Sequence, residues 1–500
     1  MYKHLLTAAF AAAGLIACAT LSAAHADAAS KHAGAAPSQE FNLPAFPADA
    51  HVAQSTVVDG HALRYTVTVG WLPVRDDKGK TIAQVVYTAY TVPGKNRPVT
   101  FAFNGGPGAS SVYLNFGAIG PKKLNFGVDG DAPSEQATLH DNPSTWLGFT
   151  DLVFIDPVGT GYSRALVDDK QATKDFYSTD SDIHYLSRII YDWLVKNGRM
   201  ESPKYVVGES YGGFRGPRIA YYLQTQLGVG MNGMVLFSPY LDPMAWSDKY
   251  VSPMAWMTTL PSIAAAHLER EGKLSAANMA PIIAYTRGAY AEALMKGRSD
   301  PATEAAMIKK VTELTGLDPV FVKNSGGRLD TQAYLREVYR SEGKLGSRYD
   351  SNYLAWDPFP YSPHQRSGDP ILNAIIAPTT TAMVNFVTQT VGWKFEGRYN
   401  ALSYDVNRLW HEDDDAEEGS VTQLRMAVAN DPHFRVLIAH GWDDLSCPFM
   451  VSVLAVDQMP AMGDPTRVQV QEYPGGHMFY ARPASNAMLV KDVHALYDKR

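Results

Sequence analysis

Between residues 99 and 441 short unbroken apolar runs recur, and each ends on a glycine-rich or acidic loop. They are VTFAF before Asn104, DLVFID before Pro157, KYVVG before Glu209, GMVLFS before Pro239 and FRVLIAHG before Trp442. Runs of this length without alternation suit strands buried on both faces, as in a parallel sheet covered by helices. Helical stretches from Asp180 to Leu194 and from Pro217 to Leu227 lie between them. The pattern predicts an α/β fold whose chemistry sits in the loops that follow the strands. Upstream, LRYTVTVGWLPV and TIAQVVYTAYTV are strand-like, and RDDKGK joins them as a hairpin connection.

From Pro243 to about Tyr399 the strand rhythm stops. SAANMAPIIAYTRGAYAEALMKG, DPATEAAMIKKVTELTG and DTQAYLREVYRSEG carry helical patterning, which predicts a helical lid inserted at about 243–399. No internal repeat interrupts this plan.

Composition narrows the class. A chain of 500 residues, 46% hydrophobic and 19% charged, can bury a large core. Its formal charge of -7, with no Lys/Arg stripe, lacks the basic footprint of a nucleic-acid binder. Lys3 and His4 precede an apolar run from Leu5 to Ile16, and Ala24-His25-Ala26 offers a small-x-small cleavage site. That is a secretory signal pattern, too short and alanine-diluted for a stable membrane span. Leu15-Ile16-Ala17-Cys18 offers a second reading, a lipoprotein signal that leaves Cys18 lipidated. The expected organisation is a signal peptide over 1–26, a flexible leader over 27–50 rich in Ala, Ser and Pro, and one domain over 51–500. The expected location is the periplasm or the exterior. Cleavage after Ala26 leaves Cys447 as the remaining cysteine, so no internal disulfide can form. The acidic run HEDDDAEEG at 411–419 reads as a solvated loop, because Leu424 stands where a calcium loop begun at Asp413 needs a carboxylate.

The chemistry begins at Gly208-Glu209-Ser210-Tyr211-Gly212. It fits G-x-S-x-G, in which small neighbours let the serine occupy a sharp strand-to-helix turn. KYVV before it is strand-like and PRIAYYLQTQL after it is helical, the context the motif requires. A nucleophilic serine needs a base and an orienting acid. In α/β-hydrolase order these follow as Asp and then His. Asp443 and Asp444 follow FRVLIAHG, and His477 lies in YPGGHMFY after the strand RVQVQEYP.

Five blocks carry a resemblance to the serine carboxypeptidase family: FAFNGGPGASS at 101–111, DPVGTGYS at 156–163, GESYGG at 208–213, GWDDLSCP at 441–448 and PGGHM at 474–478. They stand in the family's order. The resemblance implies an α/β-hydrolase fold, a mostly parallel central sheet flanked by helices. It places the catalytic acid three residues before the loop cysteine, which selects Asp444 over Asp443, whose other role is a solvated loop carboxylate. It also implies an oxyanion hole from the backbone N–H groups of Gly106 and Tyr211. Asn104, Gly105 and Glu209 are implied to bind a peptide's free C-terminal carboxylate, and Met478 to border the leaving-group pocket.

The chain departs from the family at Ala118, where a second glutamate is usual, at Ala102 for a tryptophan and at Ala109 for a cysteine. Arg215 and Arg218 offer replacement charge for the substrate carboxylate or are surface arginines of the following helix. The expected activity is release of C-terminal amino acids from peptides through Ser210, His477 and Asp444. It needs no metal or organic cofactor and leaves the oligomeric state open. The same triad acting on esters or in acyl transfer is the alternative, and a catalytically silent peptide-binding module is the third.

Overall fold

Each apolar run becomes a strand. The computed structural model describes residues 43–498 apart from 126–129, 131, 247–250, 363–364 and 412–418. The expected signal peptide, Cys18, most of the leader and most of the acidic run lie outside the described residues. Nine strands form the main path of one sheet: β1 (Ala50–Val58), β2 (His61–Arg75), β3 (Thr81–Thr91), β4 (Val99–Phe103), β5 (Asp151–Ile155), β6 (Lys204–Glu209), β7 (Gly233–Phe237), β8 (Arg435–Gly441) and β9 (Val468–Tyr473). Their spatial order is β1-β2-β3-β5-β4-β6-β7-β8-β9, and a short tenth strand, Arg164–Ala165, pairs with β3. The strands from β5 to β9 along this path pair in parallel. The first three are an antiparallel run that joins β5 through β3.

The β2–β3 connection closes as a turn because Asp76 Oδ1 accepts the backbone N–H groups of Lys78 at 3.0 Å and Lys80 at 2.8 Å, a short acidic side chain standing in for a backbone acceptor. Alternation along the strands divides the interior. Phe101, Phe103, Val153, Val206 and Leu236 face a core built with Trp193 and Leu223, while Ala102, Phe154, Val207 and Phe237 face another built with Trp146 and Phe386. Successive side chains of a strand point to opposite faces, so one apolar run feeds both cores. On the first face lie helices α1 (Thr179–Lys196) and α2 (Tyr211–Gln226), and on the second lies the C-terminal helix Pro483–Asp498.

One boundary differs from expectation. The leader was expected to run to Ala50, yet Phe46 is buried against Trp71, Trp393 and Phe395 with the Arg164 guanidinium 4.0 Å above its ring, so packing reaches back at least to Phe46. One aromatic ring in an Ala/Pro-rich stretch was enough to anchor it. The segment after β7 is mostly helical, with a short antiparallel pair at Lys344–Gly346 and Leu354–Trp356, and it divides among three cores. Its helix α3 (Met254–Arg270) joins Tyr290, Val311 and Tyr334 in a small core of its own, which also takes in Leu445. The helix Pro370–Asn385, α4 here, instead packs Ile371, Ile375 and Met383 into the main core. With the turn that extends it to Val391, α4 is long and apolar enough to cross a membrane by length and composition; here its apolar side chains contribute to the protein interior.

Candidate active site

β6 delivers Ser210 to the sheet's C-terminal edge, and α2 starts at the next residue. Ser210 has φ +58° and ψ −123°, a backbone conformation that costs a non-glycine residue energy and persists only when its surroundings impose it. Three bonds impose it: Ser210 N–H to the Phe237 carbonyl at 3.0 Å, and Gly213 and Tyr240 N–H to the Ser210 carbonyl at 2.8 and 3.0 Å. The turn is so tight that a Cβ on Gly208 would lie 2.0 Å from the Gly212 carbonyl oxygen. The flanking glycines therefore answer to space.

β8 and β9 deliver the other two groups. Asp444 is fully buried in the loop after β8. Its Oδ1 accepts the N–H groups of Ser446 at 2.7 Å and Cys447 at 2.9 Å, which leaves Oδ2 for His477 Nδ1 at 2.7 Å. Burial alone would lower the His477 pKa, but the charge and hydrogen bond of Asp444, with Glu209, outweigh it and hold the ring above its ordinary value. His477 Nδ1 is bonded to the carboxylate, so Nε2 is the nitrogen left to face a substrate. Ser210 and Cys447 line the same cavity beside the histidine. Cys447 is buried and free, and burial raises its thiol well above the ordinary value. This keeps it protonated and a poor nucleophile.

Asp443, the neighbour of Asp444, is not a solvated loop carboxylate. It is fully buried, within reach of Glu269 and Asp350, and burial followed by the Glu269 charge raises its pKa well above the usual range. Arg482 holds this group together through Glu269 and through Asp350 at 2.8 Å. Two adjacent aspartates in one sequence thus have different surroundings: one bonds the histidine, and the other lies buried beside Glu269 of α3 and Asp350.

Ser210 stands between two cavities. The larger, about 390 Å³, is lined by Gly106, Tyr211, Phe214, Trp246, Trp410 and Cys447 among others. The smaller brings together Asn104, Gly105, Glu209, His477 and Met478 with Tyr113 and Leu372. Asn104 Nδ2 donates to Glu209 Oε2, Tyr480 OH donates to Glu209 Oε1 at 2.7 Å, and Asn104 Oδ1 accepts the Leu114 N–H at 2.9 Å. Burial pushes the Glu209 carboxyl up to about 7, against the lowering by His477 and Tyr480, with Asp444 adding to the rise. Tyr211 begins α2, so its N–H has no partner within the helix. Gly105 must approach that N–H closely, since a Cβ there would lie 2.4 Å from the Tyr211 nitrogen.

Arg215 and Arg218 are not surface arginines. Arg215 is fully buried beneath the site, bonded to Asp182 Oδ2 at 2.5 Å and donating to the Asn104 carbonyl at 2.8 Å. Its charge is thereby spent on Asp182 and on the end of β4. Arg218 lies over the Phe214 ring at 4.5 Å and donates to the Gly419 carbonyl at 2.7 Å. Ala118 is fully buried. Sequence reasoning missed Tyr480, three residues past His477, and Asp182, whose position on a helical face looked like any other. It also gave no task to Asp156 of the DPVGTG block. That carboxylate accepts the Ser111 N–H at 2.8 Å and so fixes the loop that carries Gly105 and Gly106.

A serine on a strand-to-helix elbow, with an acid and a histidine on loops after later strands of a mostly parallel sheet, defines the α/β-hydrolase fold. A family model described as serine carboxypeptidase matches residues 60–476, and the chain belongs to that family. It is 29% identical over 183 residues to serine carboxypeptidase-like 50 of Arabidopsis thaliana, covering 35% of this chain and 38% of that relative. It is 28% identical over 143 residues to the pheromone-processing carboxypeptidase kex1 of Schizosaccharomyces pombe, covering 28% and 26%. The matched stretch is therefore less than half the length of these relatives. Among solved structures, Kex1(delta)p, a prohormone-processing carboxypeptidase from Saccharomyces cerevisiae, shares the fold with a TM-score of 0.55 at 14% identity, over 87% of this chain and 91% of that one.

Proposed function

We propose that the protein is an exported serine exopeptidase that releases C-terminal amino acids from peptides. The observation that carries this reading is the junction at Ser210: His477, hydrogen-bonded to the buried Asp444, and the hydrogen-bonded pair of Asn104 and Glu209 line one cavity with it. His477 Nε2 takes the Ser210 proton as Oγ attacks the scissile carbonyl, and Asp444 stabilises the imidazolium. The N–H groups of Gly106 and Tyr211 hold the oxyanion, an interaction of about 3 kcal/mol per donor. His477 returns the proton to the leaving amine, and water then resolves the acyl-enzyme. Protonated Glu209 donates to the departing amino acid's carboxylate. The helical insertion over the site acts as its lid, and the N-terminal signal pattern supports export to the periplasm or beyond. Ala118 favours a second reading, turnover of esters or acyl transfer with the same three groups, because a single carboxyl then serves the terminus.

The test gives the mature protein N-blocked dipeptides with a free or an amidated C-terminus, alongside simple esters, with Ser210→Ala as control. Amino-acid release from the free acid alone supports the exopeptidase. Ester cleavage without peptide cleavage rejects it in favour of the second reading, and peptide binding without any turnover would point to a silent module.

A further inference from the structure

Both cavities beside Ser210 share one cation. Arg348 lines the larger with Trp246, Trp410 and Cys447 and the smaller with Glu209, Tyr349 and His477. Its backbone is tied to the loops that carry the acid and the histidine: the Arg348 carbonyl accepts the Leu445 N–H at 3.0 Å, and the Tyr349 carbonyl accepts the His477 N–H. The Arg348 N–H donates to Asp369 Oδ2 at 3.1 Å. These bonds fix the Arg348 backbone relative to the reacting groups.

The side chain itself is solvent-exposed. Its guanidinium lies over the rings of Trp246 at 5.6 Å and Tyr349 at 5.1 Å, and reaches the Tyr349 hydroxyl at 3.5 Å. Among the described residues it forms no ion pair, whereas Arg215 is bound to Asp182, and Arg482 to Glu269 and Asp350. A guanidinium presents five donors in a planar fork suited to a carboxylate, and ring stacking on its faces leaves its edges free for that contact.

The smaller cavity needs such a charge. Both Glu209 oxygens already accept hydrogen bonds, from Asn104 and from Tyr480, so once Glu209 ionises an entering carboxylate meets a like charge there. In a released C-terminal residue the carboxylate lies one Cα away from the scissile nitrogen, so it must fall close to Ser210, where Arg348 forms the wall. We propose that Arg348 pairs with the terminal carboxylate of the leaving amino acid and is the residue that makes the site specific for a free C-terminus. This rests on the exopeptidase reading above.

The test compares wild type, Arg348→Ala and Arg348→Lys on a blocked dipeptide with a free C-terminus, its amide, an uncharged ester of the same acyl group, and an amidated dipeptide with an acidic acyl-side residue. For Arg348→Ala the ratio of kcat/KM on the free acid to that on the ester should fall roughly 10- to 100-fold, the range for a charged hydrogen bond, chiefly through KM. Arg348→Lys should recover part of it. An equal loss on acid and ester assigns Arg348 to holding the loops and overturns the proposal, as does an unchanged ratio. A loss confined to the acidic acyl-side substrate shows that Arg348 reads that side chain instead. If wild type turns over the ester but none of the peptides, the exopeptidase reading fails by itself. Inhibition of ester turnover by free phenylalanine and by its amide then decides the Arg348 role: selective inhibition by the acid that Arg348→Ala abolishes sustains it, and equal inhibition in both proteins ends it.

Discussion

Ser210 is held at φ +58° by bonds from the first turn of α2 and from the end of β7 with the loop after it, so its geometry belongs to its surroundings more than to the serine. Replacing His477 with Ala leaves those bonds intact, and the expected result is a folded protein with kcat lowered by about 10⁴-fold or more on every substrate. Stopped assays with thermal unfolding as the fold control check this; retained activity would remove His477 as the base. Glu209 gives a pH signature. Its carboxyl sits at about 7, so it is protonated and able to donate below that pH, and ionises as pH rises through it. The KM for free-acid substrates should therefore climb on the order of tenfold between pH 6 and 8.5 as two like charges meet. In Glu209→Gln the amide does not titrate, and that climb should be missing from the KM profile.

At the scale of elements, α1 and α2 are joined by a buried ion pair whose arginine also supports the end of β4. Removing one partner leaves the other as an uncompensated buried charge, which costs about 3–5 kcal/mol. Asp182→Asn should lower the unfolding free energy by about that amount in a denaturant titration, and the double change Asp182→Leu with Arg215→Met should recover most of it. A single-variant loss below about 1 kcal/mol would mean that the pair contributes as little as a surface one. The same logic explains how the insertion reaches the site. α3 packs its apolar face on the loop after β8 through Leu445, and anchors its polar end through Glu269 to Arg482.

At the scale of the molecule, the sheet is closed at its N-terminal side by Phe46, which fills a space among three aromatic rings and lies under Arg164. Phe46→Ala removes those contacts and leaves a cavity, so stability should fall by about 3 kcal/mol, read as a lower denaturation midpoint at unchanged slope. A loss within a few tenths of a kcal/mol would mean that the segment before β1 is dispensable. The two cores depend on the strict alternation along β4 to β8, where Ala102 faces the opposite core from Phe101 and Phe103, and Val206 the opposite core from Val207. An inserted residue in any of these strands would exchange the faces.

The sequence alone determined the strand rhythm, the elbow around Ser210 and the order of Ser210, Asp444 and His477, because these are local: a buried strand must be apolar, and a tight turn must be small. It left the hairpin partner β1 unseen, since AHVAQSTVV carries a weak pattern with one buried position. It also left Arg215 as a substrate-binding or a surface charge, and gave Asp443 the role of a solvated loop carboxylate. Only the tertiary structure decided these, because burial of a charge depends on what arrives from elsewhere: Asp182 lies 33 residues from Arg215 and Glu269 comes from a different element than Asp443. Arg348 is the clearest case, since nothing in GSRYD marks a site residue, and its place beside Ser210 follows from backbone bonds to loops about a hundred residues later.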